Sequence, residues 1–356
     1  MVPNKMSSQS SNSNDKQNVV KAGSESPFSW RVGVHTSIAG SLDRAGEHAH
    51  KIGGNTLQIF SSSPRMWRAR NFPAEELSAF SRVRQQFDLY PLVIHCNYLI
   101  NMASPDAGLR ERSREAFVAE IQRAEAMQAN YLVLHPGSFR EGSPEQGIRD
   151  LTTAIRAAIR EAPPVHTTVL IENMCGQGSV LGGTFEQMRD MLALLEGAPV
   201  AACVDTAHCY GAGIDLSSEA GLQGLVDTVD RTIGWRKVPV LHANDSRARL
   251  GSHLDRHEHI GRGGIGSEGF RRIVNHPALR EKHFILETPI EEDGDDLRNL
   301  KVLRGLRVDG VATVASGRFA SGKPASAKAS RSMAAPANSK AKAAVVSKSK
   351  ARKAAK

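Results

Sequence analysis

Histidines and carboxylates stand at the ends of several short apolar runs in this sequence. In the stretch C-V-D-T-A-H-C-Y, from Cys203 to Tyr210, Asp205 and His208 lie three residues apart after such a run. A buried strand that ends in polar groups delivers them to one place, where a carboxylate and an imidazole can hold a divalent metal ion. The groups that follow this pattern along the chain are His95, His135, Glu172, Asp205, His208, His242 and Glu287, together with Asp255 and His257 in a later loop.

The number of these groups favours a cluster of metal ions. A single histidine at a strand end is more often a hydrogen-bonded core residue than a ligand. Five imidazoles and four carboxylates at one site are different, because the carboxylates would repel one another in a poorly solvated place unless cations were bound. Mixed nitrogen and oxygen ligands favour zinc or a similar first-row ion, and nine are too many for one tetrahedral ion. We therefore predict two or three ions with a bridging carboxylate, a centre suited to phosphodiester hydrolysis.

The elements that position these groups alternate regularly. Eight apolar runs, each followed by a helical pattern, predict an α/β fold, a (β/α)8 TIM barrel in which all strand ends share one face. A doubly wound open sheet is the alternative, but no G-x-G-x-x-G turn follows the first strand. The predicted strands are Val32–His35, Thr56–Phe60, Pro91–His95, Tyr131–His135, Thr167–Glu172, Val200–Asp205, Pro239–His242 and His283–Glu287.

Composition divides the 356 residues into three parts. Residues 1–27 are polar and predicted to be disordered, residues 28–309 form the predicted barrel domain, and residues 310–356 form a predicted disordered tail rich in Lys, Ala and Ser. This tail carries eleven Lys or Arg and no acid, so the net charge of +9 leaves −3 on residues 28–309 after +1 is assigned to residues 1–27 (9 − 11 − 1 = −3). The tail could be a solvated extension, a polyanion tether or a nuclear address. No run of 18 apolar residues predicts a membrane span.

Seven motifs resemble the endonuclease IV family of apurinic/apyrimidinic (AP) endonucleases. They occur in the family's order over roughly residues 31–306, the predicted barrel without either tail. The motifs are H-C-N-Y-L-I-N at 95–101, H-P-G-S at 135–138, I-E-N-M-C-G-Q-G-S at 171–179, D-T-A-H-C-Y-G-A-G at 205–213, H-A-N-D-S at 242–246, D-R-H-E-H-I-G at 255–261 and L-E-T-P at 286–289. Asn97 and Cys96 depart from the residues usual in the family after the first histidine.

The resemblance implies a xylose-isomerase-like barrel with three Zn²⁺ per chain. It assigns His95 and His135 to one ion, with Glu172 bridging to a second. Asp205, His242 and Glu287 complete the second ion, and His208, Asp255 and His257 hold the third. Glu172 and Glu287 are the implied catalytic carboxylates, Glu287 orienting or deprotonating the attacking water. His35 and Asp245 are expected to support the ligands, and His259 is not expected to be one.

The implied activity is base excision repair. Family members hydrolyse the DNA backbone 5′ to an abasic site, leave a 3′-hydroxyl and a 5′-deoxyribose phosphate, and remove blocking groups from 3′ ends. Residues matching Arg65, Tyr98 and Leu99 enter the base stack at the lesion, where stacking is already lost. We expect a monomer without membrane association that acts on double-stranded DNA with abasic sites or blocked 3′ ends, cytoplasmic and nucleoid-associated in a bacterium or nuclear in a eukaryote.

Two other functions remain open at this point. A metal-dependent sugar isomerase or epimerase would use the same barrel, although usually with fewer ions, so the set His208, Asp255 and His257 argues against it. A non-enzymatic DNA-binding protein that works through its basic tail would not need nine polar groups on a barrel face. The metal content per chain distinguishes the first alternative, and deletion of the tail distinguishes the second.

Overall fold

The computed structural model describes residues 30–308 apart from Arg68. The two predicted disordered tails, residues 1–27 and 310–356, lie outside the described residues. Among the helices of the described part, none combines the length and the apolar character that a membrane span requires.

Within residues 30–308, eight parallel strands close into a barrel, which confirms the predicted fold. Each strand pairs with its neighbour in the chain, and the first strand pairs with both the second and the last, which closes the sheet. Two short antiparallel strands, β8 (Asp245–Ser246) and β9 (His257–Glu258), pair within the long connection after β7. The barrel strands are β1 (Val32–Thr36), β2 (Leu57–Phe60), β3 (Leu92–His95), β4 (Tyr131–Leu134), β5 (Thr168–Glu172), β6 (Val200–Asp205), β7 (Val240–His242) and β10 (His283–Leu286).

Helices follow the strands and cover the outside of the barrel. Several begin at a side chain that accepts a hydrogen bond from the first turn, such as Asp106, Ser143, Thr184 and Ser218. The α-helices are α1 (Leu42–Lys51), α2 (Ala74–Gln86), α3 (Ala107–Ala126), α4 (Pro144–Glu161), α5 (Phe185–Leu194), α6 (Thr206–Gly211), α7 (Glu219–Thr232), α8 (Gly266–Asn275) and α9 (Asp295–Gly305). The sequence patterns did not predict α6, β8 or β9.

The strand register explains why polar side chains collect at the mouth of the barrel. Six residues pack together in a small cluster inside the barrel: Val93, Val133, Leu170, Cys203, Val240 and Ile285. Side chains of a strand alternate between its two faces, so the residue two positions further on faces inward again. Those positions hold His95, His135, Glu172, Asp205, His242 and Glu287. The apolar cluster and the polar mouth are therefore consecutive layers of the same inward faces.

The intervening strand residues face the helices. Leu132, Leu134, Val169 and Ile171 are fully or almost fully buried in the larger core between strands and helices. A strand buried on both faces needs a continuous apolar run, and this is the pattern that the sequence shows. The rigid core on both sides fixes where each strand ends and therefore where each terminal side chain lies.

Candidate metal centre

The first group of donors comes from three neighbouring strands. His95 ends β3, His135 follows β4 directly, and Glu172 ends β5. Glu172 Oε2 lies 3.4 Å from His95 Nε2 and 3.2 Å from His135 Nε2. One ligand atom from each residue lies within 4.8 Å of those of the other two. These three side chains form a compact set of two imidazoles and one carboxylate, with Glu172 and His95 almost completely buried.

A second group shares Glu172 with the first. It contains Glu172, Asp205, His242 and Glu287, again with ligand atoms within 4.8 Å of one another. His242 Nδ1 lies 2.9 Å from Glu172 Oε1 and 3.3 Å from Glu287 Oε2. The two oxygens of Glu172 thus face different groups, Oε2 the histidines of the first and Oε1 the histidine of the second. This is the arrangement that a bridging carboxylate requires.

A third group lies around Asp255. Ligand atoms of Asp205, His208 and His257 lie within 4.8 Å of one another. Asp255 adds its carboxylate, with Oδ2 at 3.3 Å from His208 Nε2 and Oδ1 at 3.2 Å from His257 Nε2. The sequence prediction placed Asp205 with the second ion alone, whereas in the structure it belongs to the second group and the third. The structure therefore brings all nine predicted ligands together.

The spacing between Asp205 and His208 has a local cause. Asp205 is the N-cap of α6, and its Oδ1 accepts a hydrogen bond of 2.7 Å from the backbone amide of His208. Three residues is the distance between an N-cap and the amide that it caps. The cap leaves Oδ2 of Asp205 directed at the site, where it lies 3.8 Å from His257 Nε2. One aspartate thus both starts the helix that carries His208 and contributes a donor.

The state of the histidines fits metal binding. The Nδ1 atoms of His95, His208 and His257 lie within hydrogen-bond distance of the backbone carbonyls of Cys96, Asn173 and Glu287, at 2.8, 2.8 and 3.0 Å. A carbonyl can only accept, so in the neutral form of each ring Nδ1 carries the proton and the lone pair for a metal is on Nε2. His242 is oriented the other way, because its Nε2 donates to Gln58 Oε1 at 2.9 Å and its Nδ1 faces the carboxylates, 2.9 Å from Glu172 Oε1.

Several buried donor atoms have no hydrogen bond among the described residues. They are Glu172 Oε2, His208 Nε2 and His257 Nε2. Each approaches another ligand atom at 3.2–3.4 Å, but without the geometry of a hydrogen bond. Buried polar atoms are rarely left without partners, and a bound cation is the partner that satisfies both carboxylate oxygens and imidazole nitrogens. The donor set therefore fits two or more metal ions.

Without metal, protons on the histidines compensate for the carboxylates. Burial raises the pKa of Glu172, but the nearby His242 and His135 lower it by more than burial raises it. The pKa of Glu172 therefore lies well below its usual range. Burial lowers the pKa of His257, but Asp255, Asp205 and Glu287 outweigh burial and raise it to about 9. The pKa of His208 is also raised well above its ordinary value, chiefly by Asp205 against the effect of burial. A metal ion that binds here must displace these protons.

Amide side chains that the sequence analysis did not single out hold the ligands in place. Gln58 Nε2 donates to Glu287 and lies 3.0 Å from His35 Nδ1, which itself lies 3.7 Å from Glu287 Oε1. Asn244 Nδ2 donates to Asp205 Oδ2 and to Glu287 Oε2. Gln58 could have been found from the sequence, because it is a polar residue inside the otherwise apolar strand Leu57–Phe60.

Asp245 holds the backbone of a loop beside the site. Its buried carboxylate accepts hydrogen bonds from the backbone amides of Gly261, Gly263 and Ile265 at 2.9–3.0 Å. A Cβ on Gly263 would lie 2.5 Å from Asp245 Oδ1, so this close approach requires glycine. Asp245 thus fixes the loop that follows β9, the strand that begins with His257. His259 Nδ1 lies 3.0 Å from Asn299 Nδ2, and His259 is not a member of the three donor groups of the described residues.

The three predicted DNA-contacting residues lie on two adjacent loops at the mouth. Arg65 is exposed, Leu99 is partly buried, and Tyr98 is 52 % exposed. The Tyr98 ring packs edge-on against Phe60 and His95, with centroid distances of 5.2 and 5.4 Å. Half of this ring faces solvent beside the donor groups, a position compatible with contact to a bound substrate.

A cavity of about 290 Å³ lies over the three donor groups. Its lining includes Tyr98, Met174, Asp255 and Glu287. Asp255 is the most exposed of the nine predicted ligands, with 39 % of its side chain accessible, so the third group lies nearest to solvent. A closed eight-stranded barrel with overlapping groups of possible metal ligands at the carboxyl ends of its strands defines a TIM-barrel enzyme site, which forms on this face.

Comparison with known proteins agrees with this class. A family described as xylose isomerase-like TIM barrel matches residues 47–306. A probable endonuclease 4 of Solibacter usitatus is 48 % identical over 279 residues, which cover 78 % of this chain and 96 % of that protein. The crystal structure of endonuclease IV from Thermus thermophilus superimposes with a TM-score of 0.70 at 36 % identity and covers 78 % of this chain and 98 % of the other. The chain belongs to the endonuclease IV family.

More distant likenesses concern the fold alone. The crystal structure of a D-tagatose 3-epimerase-like protein superimposes with a TM-score of 0.58 at 17 % identity, over 77 % of this chain and 96 % of the other. Sugar epimerases and endonuclease IV thus share a barrel, and the activity must be argued from the site.

Proposed function

We propose that this protein is a metal-dependent AP endonuclease of DNA repair. It hydrolyses the phosphodiester bond 5′ to an abasic site in double-stranded DNA, leaves a 3′-hydroxyl and a 5′-deoxyribose phosphate, and removes blocking groups from 3′ ends. The observation that carries the proposal is the set of three overlapping donor groups, joined by Glu172 and Asp205, in a chain that belongs to the endonuclease IV family.

Three Zn²⁺ ions are the proposed cofactors. His95, His135 and Glu172 would hold the first ion, Glu172, Asp205, His242 and Glu287 the second, and His208, Asp255 and His257 the third, with Asp205 close to it. The mixed nitrogen and oxygen donors support zinc or a similar ion. When bound, such ions activate water and stabilise the negative charge that develops on the phosphate oxygens.

The carboxylate of Glu287 is the proposed group that orients the attacking water or accepts its proton. The interactions of Glu287 with His242 and His35 lower its pKa despite burial, so that it is ionised at neutral pH. Gln58 holds one of its oxygens and Asn244 the other, at 3.2 Å, which fixes the direction of the carboxylate. A base that is ionised and fixed in direction can act without a costly rearrangement.

The size of the cavity supports an abasic substrate. At about 290 Å³ the cavity is at the small end of ligand pockets, a size that suits a sugar phosphate without its base better than a whole nucleotide. An abasic nucleotide is also less costly to extrude, because it has no stacking to lose. Tyr98 lines this cavity, and its backbone amide is bonded to the loop that carries Arg65. The proposal is that Tyr98, Leu99 and Arg65 fill the gap that such an extrusion leaves in the duplex.

The test combines metal content with incision. Protein purified without added metal is expected to contain about three ions per chain and to cut a duplex with one abasic site once, on the 5′ side of the lesion. A second duplex with a 3′-phosphoglycolate end tests the removal of blocking groups. One or two ions and no incision would reject the proposal and favour a sugar isomerase or epimerase, for which ketoses and aldoses are the substrates to try.

A further inference from the structure

Arg65 stands at the tip of a tight turn. The backbone amide of Met66 donates a hydrogen bond of 3.3 Å to the carbonyl of Ser63, so that Pro64 and Arg65 occupy the two central positions. Proline favours the first of these positions because its ring fixes φ near the value that the turn requires. The turn leaves Arg65 and Met66 exposed, Met66 by 56 %. What holds the two ends of this turn therefore decides where the Arg65 guanidinium lies.

The residues just before the turn are hydrogen-bonded to helix α3. Ser61 donates a short hydrogen bond to the buried carboxylate of Glu120 on α3 and accepts one of 2.7 Å from Arg123 Nε. Arg123 also pairs with Glu120 at 3.0 Å. The Glu120 carboxylate thus accepts hydrogen bonds from the side chains of both Ser61 and Ser62. These bonds do not involve the carbonyl groups of Ser63 and Met66, which lie on either side of Arg65.

The carbonyl groups on either side of Arg65 accept hydrogen bonds from the side chain of Asn97. Its side chain is 6 % exposed and lies between the two loops. Nδ2 donates to the carbonyls of Ser63, at 3.4 Å, and of Met66, which lie on opposite sides of Arg65. Oδ1 accepts a hydrogen bond of 2.7 Å from the amide of Leu99.

A fourth hydrogen bond completes the connection. The backbone amide of Tyr98 donates to the carbonyl of Pro64 at 3.1 Å. The residue that follows Asn97 in the chain is thus bonded to the same turn that the Asn97 side chain holds. It costs free energy to leave a nearly buried amide group without a hydrogen-bond partner. These four bonds therefore favour one relative arrangement of the two loops.

We propose that Asn97 is a positioning residue for recognition of the lesion. It couples Arg65 on one loop to Tyr98 and Leu99 on the other, so that all three enter the DNA as one rigid unit. The inference rests on the proposed function, in which these three residues contact the duplex. Alanine cannot make any of the three side-chain bonds, and aspartate keeps the acceptor for Leu99 but loses both donors to the turn.

The first experiment compares Asn97→Ala and Asn97→Asp with the wild type. Both variants are expected to raise KM for a duplex with one abasic site about tenfold, with kcat at saturating DNA and the metal content largely retained. Asn130→Ala is the matched control. The Asn130 side chain also accepts a hydrogen bond from a backbone amide, that of Leu92. Asn130, however, lies at the amino ends of the strands, on the face of the barrel opposite the site. Having two variants guards against a failure of Asn97→Ala to fold.

The second experiment separates positioning from general stability. An Arg65→Ala/Tyr98→Ala variant lacks two of the three side chains that Asn97 is proposed to position. Adding Asn97→Ala to this variant is therefore expected to cause no further increase in KM. A full tenfold increase in that background, or an unchanged KM in the wild-type background, would overturn the inference. A wild-type enzyme that does not cut abasic DNA would instead reject the proposed function, so the two failures are distinguishable.

Discussion

Replacement of Glu172 by glutamine removes one negative charge from the centre of the site and keeps the shape of the side chain. Glu172 is completely buried, and its two oxygens face His135 at 3.2 Å and His242 at 2.9 Å. An attraction between unit charges about 4 Å apart is worth about 4 kcal/mol at an effective dielectric constant of about 20. We therefore expect the affinity for a bridged ion to fall about a thousandfold.

The fold should tolerate this change better than the chemistry does. Glutamine keeps an acceptor for His242, and eight other donors remain to define the site. Incision of an abasic duplex is expected to fall by about the same factor as the affinity, while the far-ultraviolet circular dichroism spectrum is unchanged.

The assay is metal content per chain after dialysis, measured together with the incision rate. Glu186→Gln is the matched control, because Glu186 is exposed on α5 and lies outside the donor groups of the described residues. A Glu172→Gln protein that still holds about three ions and cuts at a near-normal rate would refute the bridging role of this carboxylate.

Three further predictions concern pH, the lesion and the tail. In the metal-free protein the pKa of His257 is raised to about 9, so its contribution to the free energy of unfolding, up to roughly 3 kcal/mol, is complete below pH 6.5 and lost as the pH rises through 9. Thermal unfolding of chelator-treated protein between pH 6 and 10 checks this, and a flat profile would contradict it. Tyr98→Ala is expected to weaken binding of abasic duplex more than hydrolysis of bis(4-nitrophenyl) phosphate, and an equal loss on both substrates would show that Tyr98 does not act in recognition. Deletion of residues 311–356 is expected to weaken DNA binding at low salt and to leave incision intact, whereas a truncated protein that binds DNA normally but cannot cut it would contradict our interpretation of the tail.

The barrel and the ligand positions could be predicted because they follow from alternation along single strands. Leu170 and Glu172 lie on the same face of β5 because they are two residues apart, and the same holds for Val240 and His242 on β7. At the carboxyl ends, which position the site, the prediction extended two strands one residue too far, since β4 ends at Leu134 and β10 at Leu286. A side chain that directly follows a strand nevertheless keeps the direction that the alternation gives it.

Other parts of the site depend on contacts between distant residues and could not be predicted in this way. The helix α6 has six residues, too few for an amphipathic pattern, and its cap Asp205 was interpreted only as a ligand. The two-residue strands β8 and β9 leave no periodic signal. The amide of Asn244 reaches Glu287 across 43 residues of chain, a pairing that a single sequence does not indicate.

The donors come from strands throughout the barrel, and this has a consequence for the synthesis of the protein. His95 leaves the ribosome early, but Glu287 belongs to the strand end that closes the sheet against β1. A nascent chain that lacks β10 contains every residue of the first and third donor groups, but it lacks Glu287 and therefore has neither a complete second group nor the proposed base. A potentially harmful hydrolytic activity therefore cannot appear in an unfinished chain, because the last strand to be made completes both the barrel and the site.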